Sequence, residues 1–303
     1  MRLGDEQESV NFEDRTGRGG GGFGGFGGGG GGGILGLLFG FVLSRFGIGG
    51  VLILMLGYCA LTTFGGGGGG GSIGGVGGTP AMQTGAANGQ STLDPNTRTL
   101  LTRVLGSTER RWTDLFAAQG QQYQPTKMIA YSRQDRSGCG VAQAAMGPFY
   151  CPSDQSIYID PTFFQELSTR FGAQGDFAQA YVIAHEVGHH VQNLTGVLDQ
   201  ARQAQSRASS AEGNAVQVRV ELQADCYAGV WARNDRNLME AGDLEEGLRA
   251  AEAIGDDTLQ RQAQGRVVPE SFTHGSSAQR MQWLRRGLES GDPKACDTFK
   301  AAI

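Results

Sequence analysis

Proline is scarce in this chain, eight in 303 residues, and basic side chains do not outnumber acids, 25 Lys and Arg against 30 Asp and Glu. The first shortage excludes a collagen-like protein despite 52 glycines, because the glycine runs also follow no three-residue period. The second removes the basic footprint that nucleic-acid binding requires. Histidine is rarer still, with four in the whole chain, and charge is missing altogether between Phe46 and Phe64.

What is present is unevenly distributed. Of the 52 glycines, 31 fall between Gly17 and Gly78, so the C-terminal two thirds must supply any core. Residues 1–45 combine acids, arginines and a glycine tract too poor in apolar surface to fold, and are expected to form a disordered tail. The nineteen uncharged residues FGIGGVLILMLGYCALTTF, 46–64, approach the ~20 that cross a bilayer core as a helix. The apolar run starts earlier, at Ile34, but Arg45 interrupts it and suits a helix end where a cation can snorkel. A buried core helix is disfavoured because Gly65 to Gly71 follows directly, and a signal peptide would start nearer Met1 with a shorter apolar region. Residues 65–91 form a flexible linker, and 92–303 form one domain, long enough for a single core. Arg2, Arg15, Arg18 and Arg45 precede the span, whereas no Lys or Arg follows it until Arg98. The positive-inside bias then predicts one span of the inner or plasma membrane, with a cytoplasmic N terminus and a periplasmic or extracellular domain.

Five cysteines are present. Cys59 lies in the apolar stretch, leaving Cys139, Cys151, Cys226 and Cys296 in the domain. An oxidising location permits two disulfides among three connectivities. Cys139 with Cys151 would tie a short loop and Cys226 with Cys296 would pin the C-terminal tail to a helix; buried free thiols are the alternative.

The chemistry concentrates in Asp176 to Leu194, DFAQAYVIAHEVGHHVQNL, where apolar residues recur at helical spacing and Gly196 follows as a stop. Within it, His185 and His189 are one helical turn apart on one face, so both imidazoles can bind one Zn²⁺. Glu186, beside the first of them, is placed to act on a water activated by the metal. His190 points about a hundred degrees away and is expected to pack in the core or behind the ligands.

A hydrolytic zinc site needs a third protein ligand. Val216 to Arg233, VQVRVELQADCYAGVWAR, is helical and carries Glu221 and Asp225 four apart on its apolar side. Carboxylates there need a partner, because buried unpaired charge is costly. Glu221 is the expected third ligand, and Asp225 is expected to accept from the nonligating nitrogen of His185 or His189. Pairing of Glu221 with Arg219 is the ordinary alternative.

HEVGH followed by Glu-Leu-Gln-Ala-Asp resembles the gluzincin peptidases, in which the Glu of E-x-x-x-D ligates zinc and its Asp supports a ligand. The stretches ESVNFEDRTG, HEVGHHVQ, ELQADCYAGVWA and FTHGSSAQR, with the Gly-rich tracts around the span, are similar to the putative neutral zinc metallopeptidase family of bacteria. The resemblance implies an α+β, helix-dominated gluzincin-like domain behind one transmembrane helix, zinc as cofactor and a peptide or protein as substrate. By the same likeness His274 would donate to the developing oxyanion, with Arg280 orienting it or neighbouring acids, although Gly275 stands where the related motif has proline. A helix-entry histidine that caps backbone is the alternative for His274.

Ahead of the zinc helix, AMGPFYCPSDQSIYID (145–160) reads as two strands around a Pro152–Gln155 turn, an edge on which an extended peptide can pair. Helices are expected at 100–118, 162–171 and 278–288, and a strand at 127–132. The function expected is a membrane-anchored zinc peptidase; the alternative is a zinc-stabilised extracytoplasmic binding module that cleaves nothing.

Overall fold

A computed structural model describes residues 1–4, 6–18, 90–235 and 237–303, which belong to one compact unit. It is a helix-dominated α+β fold. The stretch expected to cross the membrane, with the rest of the tail and most of the linker, lies outside the described residues. Among the described residues no helix is long and apolar enough to cross a membrane.

The elements run β1 (Phe12–Asp14), α1 (Pro95–Ala117), β2 (Lys127–Ala130), β3 (Gln134–Ser137), β4 (Gly140–Gln143), β5 (Phe149–Cys151), β6 (Ser156–Ile159) and α2 (Thr162–Thr169). There follow α3 (Asp176–Leu194), α4 (Val197–Gln205), α5 (Ser210–Asn234), α6 (Asp243–Ala253), α7 (Asp256–Gln264) and α8 (Ser277–Ser290). Short 3₁₀ turns lie at Ala144–Met146, Pro269–Ser271 and Pro293–Cys296.

Capping explains the main helix starts. Asp94 accepts the Thr97 N–H at 2.8 Å and Pro95 occupies the first turn, so α1 begins five residues before the expected Leu100. Ser209 with Glu212 and Ser276 with Gln279 form capping boxes that start α5 and α8.

The four-stranded sheet has the order β1-β2-β6-β5, and β3 and β4 form a separate hairpin. β1 and β6 both run parallel to β2, whereas β5 returns antiparallel to β6 with Tyr150 opposite Ile157. The expected hairpin is therefore present. Its second strand sits inside the sheet, so all four residues of β6 are buried rather than alternating.

Residues 1–18 correct the expectation of a disordered tail from 1 to 45. Phe12–Asp14 forms an edge strand, and the domain begins with this segment rather than at Thr92. Three residues of Phe-Glu-Asp carry no strand periodicity, and their partner is supplied by a strand more than a hundred positions away.

The core is formed where α3, α5, α6 and α8 pack together. Phe177 of α3 stacks on Trp231 of α5 with ring centroids 6.2 Å apart, and Trp112 of α1 meets Tyr227 edge-on at 5.3 Å. Burying each such ring contributes a few kcal/mol, about 1.5–3 for a side chain of this size class. Two disulfides add covalent ties. Cys139–Cys151 joins the β3–β4 turn to the end of β5, and Cys226–Cys296 joins α5 to the C-terminal turn.

Candidate metal centre

The residues at the centre come from three helices that approach closely. Gly188, between the two histidines of α3, faces α5, where a Cβ would stand 3.0 Å from the Ala224 Cα and carbonyl oxygen. A larger residue would hold the helices apart. Gly229 and Gly287 do the same between α5 and α8, bringing the Arg280 side of α8 against Asp225.

This packing gathers His185, His189 and Glu221. One ligand atom from each lies within 4.8 Å of the others, a group able to hold a metal ion. The Nε2 atoms of His185 and His189 both face Glu221 Oε2, at 3.2 and 3.6 Å. Their Nδ1 atoms are engaged elsewhere, by Asp225 Oδ1 at 2.8 Å for His185 and by Gln192 Oε1 at 2.9 Å for His189. Each ring is thus oriented through one nitrogen and presents the other. Two imidazoles and a carboxylate suit Zn²⁺ in chemistry and number.

The supporting carboxylate is itself braced. Arg280 donates to Asp225 through Nε and Nη2, both at 2.9 Å, and Tyr181 Oη donates to the same carboxylate at 2.6 Å. Arg280 also donates to Tyr181 Oη and to the Ile254 carbonyl. Burial opposes the charge on Asp225, but Arg280 and His185 outweigh it and hold its pKa at about 2. For His185, burial disfavours the cation, while Asp225 and Glu221 raise the pKa to about 10. Glu221 lies well below the ordinary carboxylate range: burial works against ionisation and the fields of His189, His274 and His185 overcome it.

Of the alternatives weighed from sequence, pairing of Glu221 with Arg219 is absent, since Arg219 Nη1 donates to the Thr298 and Ala301 carbonyls. Gln217 donates to Glu221 Oε1 instead, at 2.8 Å. Arg280, expected to orient His274 or a neighbouring acid, holds the acid Asp225 and not His274. Asp256, the first residue of α7, takes that place. Its Oδ2 accepts the backbone N–H groups of Thr273, His274 and Gly275, and Oδ1 lies 3.4 Å from His274 Nδ1. Burial opposes protonation of His274, but Glu221 and Asp256 raise its pKa. His190 is buried away from it, between Tyr150 Oη at 3.0 Å and the Gln124 carbonyl at 2.6 Å.

Glu186 is buried on α3 next to His185, and its charge bears on His189. Three supporting residues escaped sequence reasoning: Tyr181, Gln192 and Asp256. Tyr181 is four positions before His185 and Gln192 three after His189, spacings that share a helix face with the ligand and were open to reading.

A helix carrying two imidazoles one turn apart meets a carboxylate from a second helix whose next-turn aspartate braces the first imidazole, and together the three side chains form a group able to hold a metal ion. The chain belongs to the family described as putative neutral zinc metallopeptidase, whose model matches residues 1–299. The protein YpfJ of Escherichia coli K12, described as uncharacterized, is 50% identical over 228 residues, covering 75% of this chain and 79% of YpfJ. The uncharacterized protein Rv2575 of Mycobacterium tuberculosis H37Rv is 48% identical over 193 residues, 59% of this chain and 64% of Rv2575. No solved structure matches the chain.

Proposed function

We propose that this protein is a zinc-dependent peptidase of the gluzincin kind, acting on peptide or protein substrates in an oxidising compartment and held at a membrane by the uncharged stretch Phe46 to Phe64. The observation that carries the reading is that both ligand imidazoles spend Nδ1 on fixed acceptors and turn Nε2 toward one oxygen of Glu221. Membership of a zinc metallopeptidase family supports the same chemistry.

His185, His189 and Glu221 would hold the zinc. Bound there, Zn²⁺ supplies Lewis acidity toward water and a substrate carbonyl. Glu186, buried next to His185, takes the proton of the attacking water and passes it to the leaving amine. His274, held by Asp256 through Nδ1 and the local backbone, has Nε2 free of described partners and donates to the oxygen on which negative charge develops. Arg280 acts one step further out, fixing Asp225 and through it His185. β5, the last strand of the sheet, packs along α3 and offers an edge on which an extended substrate can pair. The disulfides Cys139–Cys151 and Cys226–Cys296 support an extracytoplasmic location.

The test is zinc stoichiometry together with cleavage of a broad peptide library, for the full chain and for Glu186→Gln. The expected result is one zinc in both proteins and turnover only in the unaltered one, with a loss of at least about 10²-fold in the variant. Equal turnover in the two would remove Glu186 from the mechanism. Zinc without turnover in the unaltered protein would leave a zinc-stabilised binding module.

A further inference from the structure

Residues 14–16 and 91–92, which lie on either side of the stretch outside the described residues, are fastened together. Ser91 Oγ donates to Asp14 Oδ2 at 2.5 Å, the Thr92 N–H donates to Thr16 Oγ1 at 3.1 Å, and Thr92 Oγ1 donates to the Thr16 carbonyl at 3.4 Å. β1 is equally fixed. Phe12, Glu13 and Asp14 pair with Met128, Ile129 and Ala130, and backbone bonds from Met128 to Asn11 and from Arg15 to Ala130 extend the ladder at each end.

Upstream of the strand, Ser9 Oγ and Asn11 Nδ2 donate to Glu109 at 2.7 and 2.9 Å, and the Ser9 N–H donates to the Thr102 carbonyl. The sequence of α1 makes room for this segment. Gly106 faces the Gln7 carbonyl so closely that any Cβ would collide with it.

We propose that residues 1–18 and residues 90–303 occupy one compartment, on the same side of any membrane the protein meets. Strands joined by backbone hydrogen bonds in one sheet lie about 4.8 Å apart, whereas the hydrocarbon core of a bilayer is about 30 Å thick, so paired strands cannot lie on opposite sides of it. A single crossing at Phe46 to Phe64, with a cytoplasmic N terminus, is incompatible with β1 in place.

The charge argument for that single crossing also weakens in the fold. Arg15 is ion-paired with Glu13 and Asp135, Arg18 with Glu13 and Arg2 with Glu240, at 2.8 to 3.2 Å. Three of the four arginines counted as a cytoplasmic signal are thus partners of acids in the folded unit, two of those acids belonging to the C-terminal part. The shared compartment rests on this pairing alone; that the intervening chain touches a bilayer rests on the function proposed above.

Cysteine accessibility in intact cells tests it on the full-length protein. Val10 is 93% exposed and Val267 36%, so Val10→Cys and Val267→Cys report on the two segments with little risk to folding. Both are made in a Cys59→Ser background, the remaining cysteines being closed in disulfides. A membrane-impermeant maleimide is applied before and after permeabilisation, and membrane fractionation is run alongside.

The expected result is that both positions react before permeabilisation and to the same extent. Reaction of Val267→Cys alone, with Val10→Cys protected until the membrane is opened, would overturn the proposal. Protection of both would uphold the shared compartment and refute the extracytoplasmic placement. Recovery outside the membrane fraction would uphold the shared compartment and refute the anchor.

Discussion

His189 and Gln192 share a hydrogen bond of 2.9 Å between ring Nδ1 and the side-chain oxygen, and the identity of that oxygen is fixed by a third group. Gln192 Nε2 lies 2.7 Å from the carbonyl of Val220, which can only accept, so the amide nitrogen faces α5 and the amide oxygen faces the ring. Nδ1 of His189 is therefore the protonated nitrogen and Nε2 the one presented to the ligand group. His185 is set the same way by a charged acceptor, Asp225, whereas His189 has a neutral one.

Replacing Gln192 by leucine removes the acceptor that selects this tautomer. We expect Gln192→Leu to weaken zinc binding by about 10–100-fold, measured by competition with a chelator of known affinity. The Gln192 hydrogen bonds to the Val220 carbonyl and to Gln223 Oε1 are lost as well, at a cost of about 0.5–1.5 kcal/mol each in folding stability. Unchanged zinc affinity would show that His189 does not depend on this contact.

At Gly188 the separation of α3 and α5 is at stake. A methyl group there meets the Ala224 backbone at 3.0 Å, and the helices must part to admit it. Gly188→Ala is expected to lower stability by about 1–3 kcal/mol in urea unfolding and to lower zinc affinity in the same protein. A variant equal to the parent in both would mean that the close approach does not set the ligand geometry.

Arg280 and Asp225 form a fully buried ion pair, and removing one partner leaves the other uncompensated. Arg280→Met is expected to destabilise the fold by about 3–5 kcal/mol, read as a fall in urea midpoint. The double variant Arg280→Met with Asp225→Leu should recover part of that stability while binding zinc poorly. Recovery of both stability and zinc binding would contradict the role given to Asp225.

The Cys226–Cys296 bridge spans a sequence separation of 70 residues and holds the final turn against α5, where Gln223 donates to the Cys296 carbonyl at 3.0 Å. Cys226→Ser with Cys296→Ser is expected to cost roughly 2–4 kcal/mol, seen as a lower unfolding midpoint under nonreducing conditions. Identical midpoints for the two proteins would show the bridge to be dispensable.

Much of the candidate site was legible because helix geometry is local. Residues four apart share a face whatever the tertiary fold, so His185 with His189 and Glu221 with Asp225 could each be paired from spacing, and the cost of buried carboxylates linked the two pairs. The target of Arg280 was not legible, since it depends on how α8 crosses α5. Tyr181 and Gln192 share a helix face with the ligands by the same spacing, four before His185 and three after His189. β1 was hidden for a different reason. Three polar-flanked residues gain strand structure only from β2, and the glycine-rich tract that follows resembles a chain with nothing to fold on.

X-ray absorption at the zinc edge, on the full chain loaded with one equivalent of Zn²⁺, tests the central assignment most directly. The expected spectrum has two imidazole nitrogens and carboxylate or water oxygens, at about 2.0–2.2 Å, and the imidazole scattering falls by half in His189→Ala. Sulfur at about 2.3 Å, or a spectrum unchanged by His189→Ala, would contradict it.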